Sequence, residues 1–405
     1  MIDIKFIREH ADVVKAAATH KNVVVDVDAI ITLDTTRKQL QTKHDMLRAE
    51  QRALGKDGAK ELSIKVKSIQ KELTEVEEQL RVLLWTVPNI PTDDTPIGKD
   101  ESQNQVVKQW GSQPQFDFQP KPHWELGSAL GMIDNERAAQ VSGARFTYLT
   151  GSLAVMQFAL TQYVLQLLVG KGFHLVVPPL FIKPEVFAKM ARLHPKEERY
   201  HIPSDDLYLI GSAEHTLGPI HMDEILSEAK LPKRYCAYTP AFRREAGAAG
   251  KDTRGILRLH QFDKIEMEVF STPEQAMAEH QLLVSIEEEI LQALALPYQL
   301  LLKCTGDIGD PNARGMDINT WMPGQGVYRE THTADYMSDY QARRLNTKFR
   351  AADGTTSFVH MNDATAIAIG RTLAAIMENY QQVDGSIKVP AVLQPWMMGV
   401  LAIAG

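Results

Sequence analysis

The chain predicts an α+β fold: an antiparallel helical hairpin at the N-terminus, then a larger domain that mixes strands and helices. Three observations predict it. Between residues 33 and 83, apolar side chains recur at coiled-coil spacing on two arms separated by Gly55-Lys56-Asp57-Gly58. Residues 242–270 carry two strand-like runs around a small Gly-rich connector, Ala246 to Gly255, the pattern of a long hairpin. From residue 123 on there is no regular βαβ alternation, which excludes a doubly wound parallel sheet.

Composition bounds the rest. At 405 residues the chain has length for two or three domains. A hydrophobic fraction of 44% and a charged fraction of 23% are those of an ordinary globular protein. The net charge of −7 argues against indiscriminate nucleic-acid binding, so any RNA contact needs a local basic surface. Cys236 and Cys304 lie far apart without metal-type spacing, which fits a reducing cytoplasm and no disulfide framework. The N-terminus has charges where a signal peptide needs its apolar core. Residues 150–170 lack charges, but Ser152, Gln157, Thr161, Gln162 and Gln166 interrupt them. A buried or interface helix is expected there, and no membrane span.

Residues 1 to about 28 read as a short helix and a connector. The first arm then carries Leu33, Leu40, Leu47 and Leu54, the second Leu62, Val66, Ile69, Leu73, Val76, Leu80 and Leu83. Such seams predict an antiparallel hairpin projecting roughly 35–40 Å. Residues 37–71 hold ten Lys/Arg against four Asp/Glu, whereas Glu72, Glu75, Glu77 and Glu78 acidify the base. The charge alone fits a solvated coiled coil, a dimerisation arm, or a surface for RNA phosphates. Six of the twenty prolines fall in residues 86–122, a connecting stretch. The expected division is therefore 1–100 for the arm domain, 101–122 for a linker and 123–405 for the second domain.

Within the second domain, residues 152–170 form a helix that leads through Lys171-Gly172-Phe173 into Leu175-Val176-Val177-Pro178-Pro179. A short strand, Leu207 to Ile210, ends in Gly211-Ser212-Ala213-Glu214. Thr272-Pro273-Glu274-Gln275 has the N-cap, the proline and the capping-box glutamine of a helix start. Further on stand Tyr328-Arg329-Glu330-Thr331-His332-Thr333, Asp339-Tyr340-Gln341-Ala342-Arg343-Arg344, and a helix opening at Ala366-Ile367-Ala368-Ile369-Gly370-Arg371. Neither a G-x-x-x-x-G-K-[ST] loop nor a G-x-G-x-x-G is present, so a nucleotide site must be built another way.

The hairpin at 242–270 is the most informative stretch. Alternation puts Arg258, His260, Phe262, Lys264, Glu266 and Glu268 on one strand face, and Leu257, Leu259, Ile265, Met267 and Val269 on the other. Arg243 and Glu245 share a face on the first strand. Such a face suits a flat, charged ligand, and equally the solvated side of an antiparallel sheet. The residues themselves resemble motif 2 of the class II aminoacyl-tRNA synthetases, in the form found in seryl-tRNA synthetases. Phe242-Arg-Arg-Glu-Ala-Gly247, Asp252-Thr-Arg-Gly255 and His260-Gln-Phe-Asp-Lys264 stand in that order. Residues 152–179 resemble motif 1, the dimer-interface motif, and residues 366–379 resemble motif 3.

The resemblance implies a catalytic domain of antiparallel sheet flanked by helices, with ATP and Mg²⁺ used to activate serine for tRNA(Ser). Arg243 and Arg371 are then the catalytic arginines, on the α- and γ-phosphates. Phe262 stacks on adenine with Glu245 at its amino edge, and Glu330 with Thr333 holds the metal between phosphates. Ser212 and Glu214 take the serine α-amino group, Arg243 its carboxylate, Glu266 and Thr365 its hydroxyl. On the arm, Arg37, Lys38, Lys43, Arg48, Arg52, Lys56, Lys60, Lys65 and Lys67 face tRNA, while Lys251, Arg254 and Arg258 reach the acceptor end. A homodimer is also implied. Several residues depart from the family's pattern near this site: Ser212 for threonine, Asp363 for asparagine, Asp335-Tyr336 for Ser-Asn, and Asn319 for glutamate. Activation of another small amino acid, or a non-catalytic RNA-binding role, are the readings that compete.

Overall fold

The computed structural model describes residues 1–53, 59–246, 252 and 254–404. Its first large feature is a pair of long helices, α1 (Val27–Ala53) and α2 (Ala59–Thr86). Leu40, Ile69 and Leu73 close the seam between them, with Leu47 and Val76 packed alongside. His44 is buried as well, although the leucine repeat does not announce it. At about 1.5 Å per residue, helices of this length reach ~40 Å. The expected turn, Gly55 to Gly58, and Leu54 lie outside the described residues.

Ile7, Val14, Ile30, Leu80, Leu84 and Val87 form a separate cluster at the hairpin base, and Tyr340 of the second domain packs into it. Asp34, fully buried there, is paired with Arg8, Arg37 at 2.9 Å and Lys38 at 3.2 Å. Burial would raise its carboxyl, but the three cations lower it below the usual range. Lys21 makes a second joint, donating to the carbonyls of Gly309, Asp310 and Asn312 at 3.0, 3.2 and 2.6 Å. The arm is thus footed on the second domain by both apolar and polar contacts.

That domain is organised by an eight-stranded sheet. Its strands are β1 (Gln105–Trp110), β2 (His174–Leu175), β3 (Lys233–Phe242), β4 (Gln261–Ser271), β5 (Tyr298–Leu302), β6 (Arg314–Met322), β7 (Val327–Ser338) and β8 (His360–Ala368). The order is β1-β5-β6-β7-β8-β4-β3-β2, antiparallel throughout except for the short edge pair β2–β3. Residues 105–110, inside the stretch expected as a linker, supply edge strand β1.

Helices α3 (Gly151–Gly170), α4 (Pro273–Ala293) and α5 (Ile369–Asn379) contribute to one hydrophobic core with the sheet. Ile265, Met267 and Val269 enter that core with Leu257 and Leu259, as the alternation predicts. α4 begins as expected, with the Thr272 N–H donating to Gln275 Oε1 at 3.3 Å. α3 is long and apolar enough to cross a membrane by length and composition, yet it packs Leu153, Met156, Leu160, Val164 and Leu168 into the core. On its outer side Phe158 and Val169 are exposed.

The central hairpin is shorter than alternation suggests, since β4 starts at Gln261 and β3 ends at Phe242. Glu245 has φ +53° and Gly255 φ +72°, conformations that take the chain off the ladder. Residues 256–257 bond elsewhere instead: the Ile256 N–H reaches His123 Nε2 at 3.2 Å and the Leu257 carbonyl accepts from Arg371 at 3.4 Å.

Leu73 is 3% exposed at the middle of the arm. Leu73→Ala should therefore destabilise the hairpin by about 2–5 kcal/mol. The loss should appear as an early helical transition in chemical denaturation followed by far-ultraviolet circular dichroism, with the sheet domain melting later.

Candidate active site

The cleft on the sheet's other face is lined from β4, β7, β8 and the start of α5, over an empty volume of about 610 Å³. Arg243 leaves the end of β3, and its Nε donates to the Gly211 carbonyl at 3.0 Å. Its guanidinium carbon lies 5.4 Å from the Phe262 ring centre. An added Cβ on Gly211 would stand 3.5 Å from Arg243 Cγ and 3.1 Å from Arg199, so this small residue gives both arginines room. The Glu245 carboxylate is ion-paired with Arg258, which itself lines the cleft. Lys251 lies outside the described residues.

Glu330 and Thr333 are an odd number of residues apart, which in a regular strand would put them on opposite faces. The β6–β7 register shifts between Ile318 and Asn319, so Thr333 opposes Asp317 and Glu330 opposes Asn319. This bulge returns both side chains to the cleft. Arg371, on the first turns of α5, donates to the Glu330 carboxylate at 2.8 Å and to its carbonyl at 2.9 Å. Desolvation works to raise the Glu330 carboxyl, but Arg371 and Lys303 overcome it and lower it to about 2. An ionised carboxylate and a hydroxyl are hard oxygen donors of the kind Mg²⁺ takes alongside phosphates. Among the described residues no cluster of three or more His, Cys, Asp or Glu could hold a metal by itself.

Deeper in, the polar residues close on one another. Glu266 is fully buried, and its Oε1 accepts from Ser212 Oγ at 2.9 Å and Thr365 Oγ1 at 3.1 Å, with Lys264 Nζ in contact. Its Oε2 has no protein partner. Burial raises the Glu266 carboxyl, with Lys264 pulling it down. Thr365 reaches this position through a second bulge, where the β4–β8 register shifts between Ile265 and Glu266. Glu214 lies 3.4 Å from both Ser212 Oγ and Arg192 Nε. Burial alone would raise its carboxyl, but Arg192 and His215 hold it well below the usual range.

All the proposed ATP and serine residues thus gather at one site, and several unforeseen ones join them. Lys264 was visible on the polar face of β4 but carried no assigned role. Lys303, 3.4 Å from Asp317, sits beside the Glu330 end. Arg192 follows no pattern in the sequence that would mark it. The departures from the family's pattern are sorted by the fold. Asp335 and Asp363 face each other across β7 and β8 near Glu214. Asn319 belongs to the Glu330 end. Tyr336, expected near the pocket, instead points to the helical side, packing on Ala276, Ala313 and Met277 with its hydroxyl 2.9 Å from His360. Adjacent strand residues must face opposite ways, so only Asp335 of that pair can meet the site.

A serine–tRNA ligase of Pseudothermotoga lettingae is 40% identical over 98% of this chain and 99% of its own length. The ligase of Fervidobacterium nodosum is 41% identical over 98% of both chains. The chain belongs to the seryl-tRNA synthetase family. The seryl-tRNA synthetase N-terminal domain matches residues 1–57, and the class II core domain of the G, H, P, S and T synthetases matches residues 198–380. The seryl-tRNA synthetase of Pyrococcus horikoshii, solved with ATP, superposes with a TM-score of 0.94 at 35% identity, covering 100% of this chain and 99% of its own. The cytoplasmic serine–tRNA ligase of Naegleria fowleri, solved with AMP, gives 0.91 at 30% identity, covering 100% and 98%. The α+β class II architecture expected from the sequence is the one observed.

On the family's N-terminal arm, Lys43, Arg48, Arg52, Lys60 and Lys67 are exposed, while Lys38 pairs with Asp34, Arg37 is half-buried against it, and Lys65 pairs with Glu61. Lys56 lies outside the described residues. The cleft's far wall is held by His123, fully buried between Glu378 and the Ile256 N–H. His123→Ala leaves that N–H without a partner and opens a void, at a cost of about 1–3 kcal/mol. A fall of that size in unfolding free energy, with an unchanged denaturant slope, is the expected result of urea titration.

Proposed function

We propose that the chain activates serine with ATP and transfers the seryl group to the 3′ end of tRNA(Ser). One observation carries this reading: a single cleft has arginines and an ionised carboxylate at one end and the buried Glu266–Ser212–Thr365 group at the other. Activation is an in-line displacement, in which the serine carboxylate attacks the α-phosphorus of ATP and pyrophosphate leaves. Catalysis then consists of aligning two anions and stabilising charge on the phosphates. Arg243 serves the α-phosphate and the serine carboxylate, its fork oriented by the Gly211 carbonyl. Arg371 serves the γ-phosphate, Phe262 the adenine face and Glu245 its amino edge. Ser212 and Glu214 receive the α-ammonium. Glu266 Oε2 and Thr365 receive the hydroxyl, which gives the orphaned oxygen a partner.

Mg²⁺ fits Glu330 and Thr333, and when bound it would neutralise phosphate charge. The exposed arm lysines and arginines are the surface for the tRNA, within a functional division of 1–100, 101–122 and 123–405 in which the middle stretch also lends an edge strand. The exposed apolar side chains Phe158 and Val169 of α3, with Leu175 and Val177 just beyond it, are the surface assigned to a homodimer. Two buried free cysteines suit a cytoplasmic protein.

Amino-acid-dependent pyrophosphate exchange tests the reading. Serine should be preferred to alanine by roughly 10⁴ or more, because alanine leaves the buried Glu266 Oε2 without a hydrogen-bond partner. Arg243→Ala should lower serine exchange by about 10²–10³. Equal use of alanine, threonine, glycine or cysteine would assign the site to another amino acid, and no exchange with any of them would favour a non-catalytic RNA-binding role.

Truncation separates arm from cleft. Replacing residues 41–71 by a Gly/Ser linker removes eight Lys/Arg but spares the base cluster and Asp34. Exchange should persist while tRNA charging falls steeply, and the salt dependence of tRNA binding should become shallower. A truncated protein that charges tRNA at full efficiency would sink the arm's RNA role.

A further inference from the structure

Arg192 stands just beyond the short helix Pro184–Lys189, after Ala191, which has φ +56°. An alanine in the left-handed region is kept there only by surroundings that over-determine it. Arg199 Nε donates to the Arg192 carbonyl at 3.0 Å, fixing the turn from the other side. The Arg192 side chain is 17% exposed and reaches Glu214 at 3.4 Å, Asp363 at 3.4 Å and Asp335 at 3.8 Å. Asn312 Oδ1 accepts from it at 3.4 Å. Glu268 opposes Asp363 in the β4–β8 register, and neither of its carboxyl oxygens has a protein partner. Four carboxyl groups therefore crowd around one guanidinium, beside the Lys264–Glu266 pair.

Like charges this close cannot all ionise, and without a counter-ion they take up protons. We propose that Arg192 is the positioning residue of the amino-acid subsite: it keeps Glu214 charged and aimed at the substrate ammonium, and it makes Asp363 and Asp335 compatible with that role. The proposal rests on the assignment of Glu214 to the α-amino group. It explains why two extra acids can border a site that must still read one ammonium. Groups facing the Glu214 carboxylate from neighbouring elements are His215, Lys264, Glu266, Glu268, Asp335, Asp363 and Arg199. Among the described residues, only Arg192 forms an ion pair with both Glu214 and Asp363.

The test is steady-state pyrophosphate exchange by the full chain, with serine and ATP varied separately. Arg192→Gln should raise KM for serine about tenfold or more, the scale of losing an adjacent opposite charge. KM for ATP should stay within about twofold, since uniform damage would move both. Glu214 then titrates higher, so the acid limb of kcat/KM for serine should move to higher pH. Adding Asp363→Asn to Arg192→Gln should recover most of the loss by removing an acid that competes with Glu214 for ionisation, and Arg192→Lys should lie near the unaltered chain. An unchanged KM for serine in Arg192→Gln overturns the proposal. So does failure of Asp363→Asn to rescue it, or an Arg192→Lys variant as impaired as Arg192→Gln; the lysine variant keeps the test open if the glutamine one does not fold. Absence of serine exchange in the unaltered chain would instead overturn the functional reading beneath it.

Discussion

Glu266 sets the terms for the centre of this molecule. A carboxylate fully withdrawn from water costs several kcal/mol unless it is paired and hydrogen-bonded. The fold meets that demand with three separate segments: Lys264 from its own strand, Thr365 from β8 and Ser212 from the loop after residues 207–209. Satisfying it fixes the register of β4 on β8 and the depth of the 211–214 loop. Because Gly211 of that loop accepts from Arg243, the pairing at Glu266 also orients the guanidinium at the other end of the cleft. One oxygen is left over, and it is the natural hydroxyl acceptor.

Around this point the charges are arranged in pairs that control one another. Arg371 ties the first turns of α5 to Glu330 on β7 and to the Leu257 carbonyl on the returning limb of the hairpin. Glu378, on the last turn of the same helix, accepts from the His123 ring and from the backbone N–H groups of His123 and Gly324. Glu330 stays ionised because cations outweigh burial there, whereas burial drives Glu268 and Asp363 toward their protonated forms, helped by Asp363 at Glu268 and by Glu214 at Asp363. The two ends of one cleft therefore differ in electrostatic character, an arrangement suited to holding a polyanion beside a small zwitterion.

Much of this was legible in the chain. The heptad seam follows from leucine spacing alone, because a 3.5-residue period leaves a helix no other way to bury its apolar stripe. The core face of β4 follows from strict alternation, and the start of α4 from capping chemistry that acts within one turn. Arg243, Glu330 and Arg371 were found by their resemblance to a family's motifs, and the structure puts them around one cleft. Alternation misled at the hairpin tip, where partners distant in sequence capture residues 256–257 and end the ladder early.

What the sequence by itself determined, then, is whatever depends on local period or on neighbouring residues: the arm, the strand faces, the helix starts and the family. Tertiary structure alone decided what depends on register and on long-range charge. Two bulges bring Thr333 and Thr365 to the cleft side against the simple alternation. Strand pairing sets Asp335 against Asp363 and turns Tyr336 away toward α4. Arg192 becomes important only because three carboxylates from distant segments converge on it. Electrostatic energy depends on separation in space, and no spacing along the chain encodes that.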